Sequence, residues 1–144
     1  MKAVVVMMVV ILVIGCQSKN NEAGEANNVA IANAMFDAFN KHQWEAMAGY
    51  YAEPASFLDP SFGSTYVNKS RTEVAEKYRG MEGVFPDIHD ELTGIYPYED
   101  KVIIEFVSTG KASDSLSFSL PIITVLTIKD GLIVKDATYY DNQD

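Results

Sequence analysis

Residues 102–140 read VIIEFVSTGKASDSLSFSLPIITVLTIKDGLIVKDATYY, and the period of this stretch decides the fold. Apolar and polar residues alternate over Val102 to Thr109, Ser117 to Ile128 and Leu132 to Tyr140. A period of two belongs to strands that bury one face. Ala112 to Ser115 and Asp130-Gly131 separate the three runs. Asp-Gly is a strong hairpin signal, because glycine accepts positive φ at little cost. Upstream, Ile88 to Tyr96 has the same period, and Glu99-Asp100 is the turn that follows it. Four successive strands on short turns predict an antiparallel meander. Pro121 inside the third strand calls for an edge position or a bulge, since proline has no N–H for the ladder.

Before the meander the period is helical. Ile31, Met35, Ala38 and Phe39 form one apolar stripe, which predicts a helix over residues 28–39. Asn40 to Gln43 is a polar break, and Trp44, Met47 and Tyr51 give a second, shorter helical stripe. Ala55 to Asp59 reads as a brief strand stopped by Pro60, and Ser61 to Lys69 as a polar loop. Ser70-Arg71-Thr72-Glu73 is a capping box that opens a third helix carrying Val74, Tyr78 and Met81 and stopping around Gly80 to Pro86. The order predicts an α+β domain in which N-terminal helices pack on a curved antiparallel sheet and enclose a cone-shaped pocket.

The chain of 144 residues has room for one domain, and its 48% hydrophobic and 22% charged residues are an ordinary globular balance. A net charge of −9 repels phosphate backbones, so nucleic acid is not an expected partner. The only cysteine is Cys16, and the two histidines, His42 and His89, are far apart in sequence. That pattern predicts neither a disulfide within the chain nor a structural metal, and no cofactor motif is present.

Lys2 and the apolar run from Ala3 to Ile14 precede Gly15-Cys16. The run is too short for a bilayer span, which takes about 20 residues. A charged start, a short apolar stretch and a small residue at the break are the marks of a signal peptide. Val13-Ile14-Gly15-Cys16 resembles the bacterial lipobox, with Ile14 where a small residue is usual. The resemblance implies a signal peptide over 1–15, lipidation of Cys16, export, and anchoring to a bacterial membrane. Gln17 after the cysteine implies the periplasmic side of the outer membrane if the host has two membranes. Gln17 to Asn27 holds no large apolar residue and reads as a flexible tether, with the domain over 28–144.

From Asn28 to Asp141 the order of elements resembles the nuclear transport factor 2-like superfamily, in its SnoaL-like and ketosteroid-isomerase-like branch. The most specific stretch is Tyr51-Ala52-Glu53-Pro54-Ala55-Ser56-Phe57-Leu58-Asp59-Pro60; Phe85-Pro86-Asp87 and Gly131 add to it. The resemblance makes Asp59 the counterpart of a general base and Tyr51 part of the supporting hydrogen-bond network. It places Met35 and Thr124 where that isomerase branch has its two oxyanion donors. One such donor contributes about 3–4 kcal/mol, so ketosteroid isomerisation itself is not expected.

Three residues are candidates for acid/base work. Asp59 sits beside Phe57 and Tyr51, where burial would raise its pKa and suit it to proton transfer. Its other reading is a turn aspartate bonded to its own backbone. Asp136 shares a strand face with Val134, Thr138 and Tyr140, and the resemblance turns that face toward the pocket. A register slip of one residue would turn it to solvent. His89 is a candidate proton shuttle, or merely a hydrogen-bonded or exposed strand residue. Tyr51, Phe57, Tyr78, Phe106, Phe118, Thr124 and Tyr140 are the expected pocket lining. The expected ligand is a small apolar or aromatic molecule with a few polar groups. Two functions stay open: a pocket that catalyses isomerase- or cyclase-type proton transfer, and a non-catalytic binding or dimerisation module that uses the sheet as its interface.

Overall fold

A computed structural model describes residues 14–141, with side chains from residue 21 onward. Helices α1 (Ile14–Asn40) and α2 (Trp44–Ala48) lead into strand β1 (Tyr51–Leu58), a short 3-10 turn (Pro60–Phe62) and strand β2 (Val67–Lys69). Helix α3 (Arg71–Val84) follows, then β3 (His89–Tyr98), β4 (Lys101–Ser113), β5 (Leu116–Lys129) and β6 (Leu132–Tyr139). The sheet order is β2-β1-β6-β5-β4-β3, so the last four strands form the expected antiparallel meander. The helices pack on one face of this curved, unclosed sheet.

The local signals act as read. Ser70 accepts from the Glu73 N–H, and the Glu73 side chain reaches back to Ser70, closing the capping box. Asp130 and Gly131 turn with φ of 51° and 78°. Pro121 lies beyond the ladder between β5 and β6, which begins at Ile123, so β5 is locally an edge there.

Four boundaries differ from the sequence reading. Helix α1 starts at Ile14, and the stretch read as a tether is helical. Its Glu and Ala residues are good helix formers, and its last turns are held from outside. Asn28 Nδ2 donates to the Glu99 carbonyl, and the Glu25 carboxylate accepts from the Glu99 N–H. Helix α2 ends at Ala48, so Tyr51 belongs to a longer β1 and not to a helical stripe. The loop after Pro60 contains β2, which pairs antiparallel with β1 at Ala55↔Lys69 through Phe57↔Val67. Last, β6 skips a residue against β5 between Thr127 and Ile128. This irregularity puts Ile133, not Val134, on the buried face with Asp136.

The core lies between α1, α3 and the sheet. Phe36 meets Phe106 edge-on at 5.0 Å, and Phe39 meets Trp44 and Tyr78 at 5.3 and 5.2 Å. Gly110 allows one close approach: a Cβ there would fall 2.6 Å from the Phe118 ring, which packs edge-on against Phe85.

Candidate functional site

Between α1, α3 and the concave face of the sheet lies a cavity of about 150 Å³. Its apolar wall is Met35, Phe36, Phe39, Met47, Met81, Phe106, Leu120 and Ile122. An apolar space of this size holds a benzene-sized molecule. Set into that wall are three aspartates, Asp59, Asp90 and Asp136, and one cation, Lys77. Asp59 arrives just past β1, Asp90 from β3 and Asp136 from β6, and each has a different environment.

Asp59 follows β1 and caps the 3-10 turn, accepting from the Ser61 N–H at 2.7 Å. The same oxygen accepts from the Tyr140 hydroxyl at 3.0 Å, and the other accepts from Lys77 Nζ at 2.7 Å. Lys77 also lies 4.2 Å from the Phe62 ring centre. Burial pushes the Asp59 carboxyl up, but the Lys77 ammonium and the hydrogen bonds from Lys77 and Ser61 outweigh it, and the net shift is downward. The expectation of a raised pKa at Asp59 therefore needs correction: burial acts as reasoned, and an adjacent cation reverses it. The turn role and the pocket position are both real.

Asp136 comes from β6 and is buried. The Tyr51 hydroxyl donates to one oxygen at 2.8 Å. Thr124 and Thr138 hydroxyls lie 2.6 and 2.9 Å from the other. Burial pushes this carboxyl up; the three hydroxyls pull it down without reversing the shift, and the Asp59 charge adds to the rise. The Tyr51 and Tyr78 phenols are themselves raised well above their ordinary range, chiefly by burial, so both remain donors. Burial also raises Tyr140, with the Asp59 charge adding, to about 12.

Asp90 comes from β3. Its backbone is gripped by Asn40 at the end of α1: Asn40 Nδ2 donates to the Asp90 carbonyl and Asn40 Oδ1 accepts from the Asp90 N–H, both at 2.8 Å. The side chain is buried, and no protein group donates to its Oδ1 among the described residues. Burial pushes its carboxyl up to about 6, with a hydrogen bond from Ser108 pulling the other way.

The fold has known counterparts. The family model for the SnoaL-like domain matches residues 32–135. The chain belongs to the SnoaL-like domain family. Among solved structures, the SnoaL-like domain is similar to a hypothetical protein with a ketosteroid isomerase-like fold from Catenulispora acidiphila, determined in complex with trimethylamine. The TM-score is 0.68 at 21% identity, over 78% of this chain and 85% of that one. Bal32a, from a soil-derived mobile gene cassette, gives a TM-score of 0.71 at 15% identity, over 83% and 92% of the two chains. An LEH-like epoxide hydrolase from M. tuberculosis gives 0.68 at 14%, over 81% and 84%. At these identities the likeness establishes the fold alone. No curated protein sequence matches the chain.

Within the SnoaL-like domain, Asp59 and Asp136 both line the cavity, as do Tyr51, Tyr78, Phe106, Thr124 and Tyr140. Phe57 does not; it is buried between Tyr51 and Phe62, with ring centres 5.0 and 6.0 Å away. Phe118 lies outside it too, packed on Phe85. His89 is exposed, on the opposite face of β3 from Asp90. The Ile88-His89-Asp90-Glu91-Leu92 alternation carried that signal: with Ile88 and Leu92 inward, Asp90 faces in and His89 faces out. Lys77 was also legible, three residues after Val74 and four before Met81 on the inner face of α3. Cys16 falls in the first turn of α1, and the residues preceding Ile14 lie outside the described residues. Among the described residues no three His, Cys, Asp or Glu side chains cluster as a metal would require.

Proposed function

We propose that this SnoaL-like domain binds a small, mostly apolar molecule in the cavity and moves a proton on it, with Asp59 as acceptor and Asp136 as donor. One observation carries the reading: two carboxyls line one cavity, and their surroundings drive their proton affinities apart. Such divergence is the usual basis for dividing acid and base roles between two like groups. Lys77 keeps Asp59 ionised. Burial raises the proton affinity of Asp136, where Tyr51, Thr124 and Thr138 fix the orientation of the carboxyl. The apolar wall excludes water and selects a compact substrate. The chemistry that fits is proton transfer at carbon or oxygen, of the isomerase or cyclase type. The test is deuterium uptake from D₂O into small cyclic ketones, followed by proton NMR. Wild-type protein should accelerate exchange, and Asp59→Asn should abolish it; equal exchange with both proteins would remove the acid/base assignment.

The sequence before the domain supports a location. We infer export, with lipidation of Cys16 and anchorage in the cell envelope. The support is the charged start, the short apolar run and the lipobox-like Val13-Ile14-Gly15-Cys16. Labelled palmitate should enter the wild-type protein and not Cys16→Ala, and the variant should leave the membrane fraction. Label retained by the variant would refute the assignment.

A second reading is favoured by the outer face of the sheet. Tyr96, Ile103, Ile123 and Tyr139 are exposed on four adjacent strands. Tyr96 pairs with Ile103 and Ile123 with Tyr139; Val125 faces Ile103 across β4 and β5, so the two pairs form a stepped apolar patch. Such a patch suits self-association. Sedimentation should show a dimer that Ile123→Lys converts to monomer; a wild-type monomer would exclude this use of the face.

A further inference from the structure

The acid/base reading leaves Asp90 without a task. Yet it is the most unusual side chain in the cavity: 6% exposed, with one carboxylate oxygen to which no protein group donates. A buried carboxylate with one oxygen left without a donor is costly, and native proteins rarely keep one without use. We infer that the cavity is built for a small protonated amine, its ammonium donating to Asp90 and its carbon substituents resting on the surrounding rings. The inference rests on the cavity being a small-molecule site.

The charges lining the cavity point the same way. Among the described residues Lys77 is the one basic residue in the wall, and it is committed to Asp59 at 2.7 Å. It therefore offers nothing to Asp90. The sheet order separates the two: Asp59 follows β1, Asp90 is on β3, and three strands lie between. Helix α1 brings its C-terminal end to this corner, since Asn40, its last residue, holds the Asp90 backbone. A helix C-terminus carries partial negative charge, and the last turn of α1 has no basic residue to offset it. The corner thus has two negative features and no cation of its own.

Its walls suit the rest of such a ligand. Phe36, Phe39 and Phe106 line the same cavity, and the Phe36 and Phe106 ring centres are 5.0 Å apart. Ring faces attract an ammonium and its attached carbons. Asn40 spends its side chain on the Asp90 backbone, which fixes the carboxylate in place and leaves Oδ1 free for a ligand. A neutral alcohol would fill the same space but bring only an uncharged donor. Both donors would bond the carboxylate, but only the ammonium also neutralises its charge in a buried corner where Coulomb attraction is strong.

The test compares benzylamine with benzyl alcohol, by calorimetric titration of the full chain at pH 7. The two probes share a ring and differ in charge. The ammonium should bind at least about tenfold more tightly than the alcohol. Asp90→Asn and, as a second neutral variant, Asp90→Ser should remove the preference while keeping alcohol binding. Equal binding of the two probes by wild-type protein overturns the amine assignment and leaves the pocket reading standing. A preference that survives in whichever variant folds overturns the role of Asp90. Binding of neither probe overturns both the inference and the pocket reading beneath it.

Discussion

Asp90→Asn should make the protein more stable at neutral pH. The wild-type carboxyl is held near 6 when folded, against an ordinary value of 3.8. The folded state therefore binds this proton more tightly than the unfolded chain does. As pH rises from about 4 to about 6, the unfolded chain loses the proton first, and stability falls; above that window the penalty is constant. Each unit of difference corresponds to roughly 1.4 kcal/mol, so the full penalty is about 3 kcal/mol. Asparagine has nearly the same shape and no charge. The bonds from Asn40 go to the Asp90 backbone, so they survive the change. Urea unfolding of both proteins at a series of pH values gives the answer directly. The variant should match the wild type near pH 3.5 and exceed it by up to about 3 kcal/mol at pH 7. A gap independent of pH, or a variant less stable at pH 7, would refute the claim that the fold carries an uncompensated buried charge here.

Lys77→Met leaves Asp59 buried without its cation; both side chains are under a fifth exposed, so the loss should be about 2–4 kcal/mol by urea unfolding, and the Asp59→Asn/Lys77→Met double variant should recover part of it. Because the Asp59 carboxyl is lowered, the stability it contributes is present at pH 7 and should disappear only as pH falls below the ordinary aspartate range, through its folded value. Tyr51→Phe removes a buried donor from Asp136 and should cost about 1–2 kcal/mol, with the Asp136 carboxyl carbon shifting upward in its NMR titration. Gly110→Ala forces the Phe118 and Phe85 packing apart and should lower the melting temperature by several degrees; an unchanged value would show that those rings give way freely.

The meander was legible because each of its strands buries one face, and burial imposes a period of two that turn residues punctuate. Pro121 and the Asp130-Gly131 turn were read from backbone chemistry that holds in any fold. Strand β2 escaped notice because three residues are too few for a period; it exists because β1 offers an edge. The irregularity that brings Ile133 inward arises from pairing between β5 and β6, which no local pattern reports. In the site, Asp59 and Asp136 stood out through resemblance and strand period. Lys77 and Asp90 lie on the same helix and strand periods as their apolar neighbours but were not among the candidates, and His89, the candidate shuttle, is one residue off the inner face. Phe57 and Phe118 were assigned to the cavity from type and strand, whereas their neighbours are other rings.

One reach of β5 that lines the cavity is paired on a single side. From Leu116 to Ile122 the strand has β4 on one side and no ladder to β6 on the other. Leu120 and Ile122, on this reach, form part of the cavity wall, while Thr124 and Asp136 belong to the doubly braced floor. The two parts therefore have different stiffness. Amide hydrogens at Phe118 and Leu120 should exchange with solvent sooner than those at Val125 and Thr127, because rupturing one ladder frees the first pair and two ladders hold the second. A bulkier occupant of the cavity would be accommodated at the rim, and its orientation would be set by the floor. Pro121 adds a safeguard: it withholds an N–H from a strand edge that must stay loose without recruiting another strand.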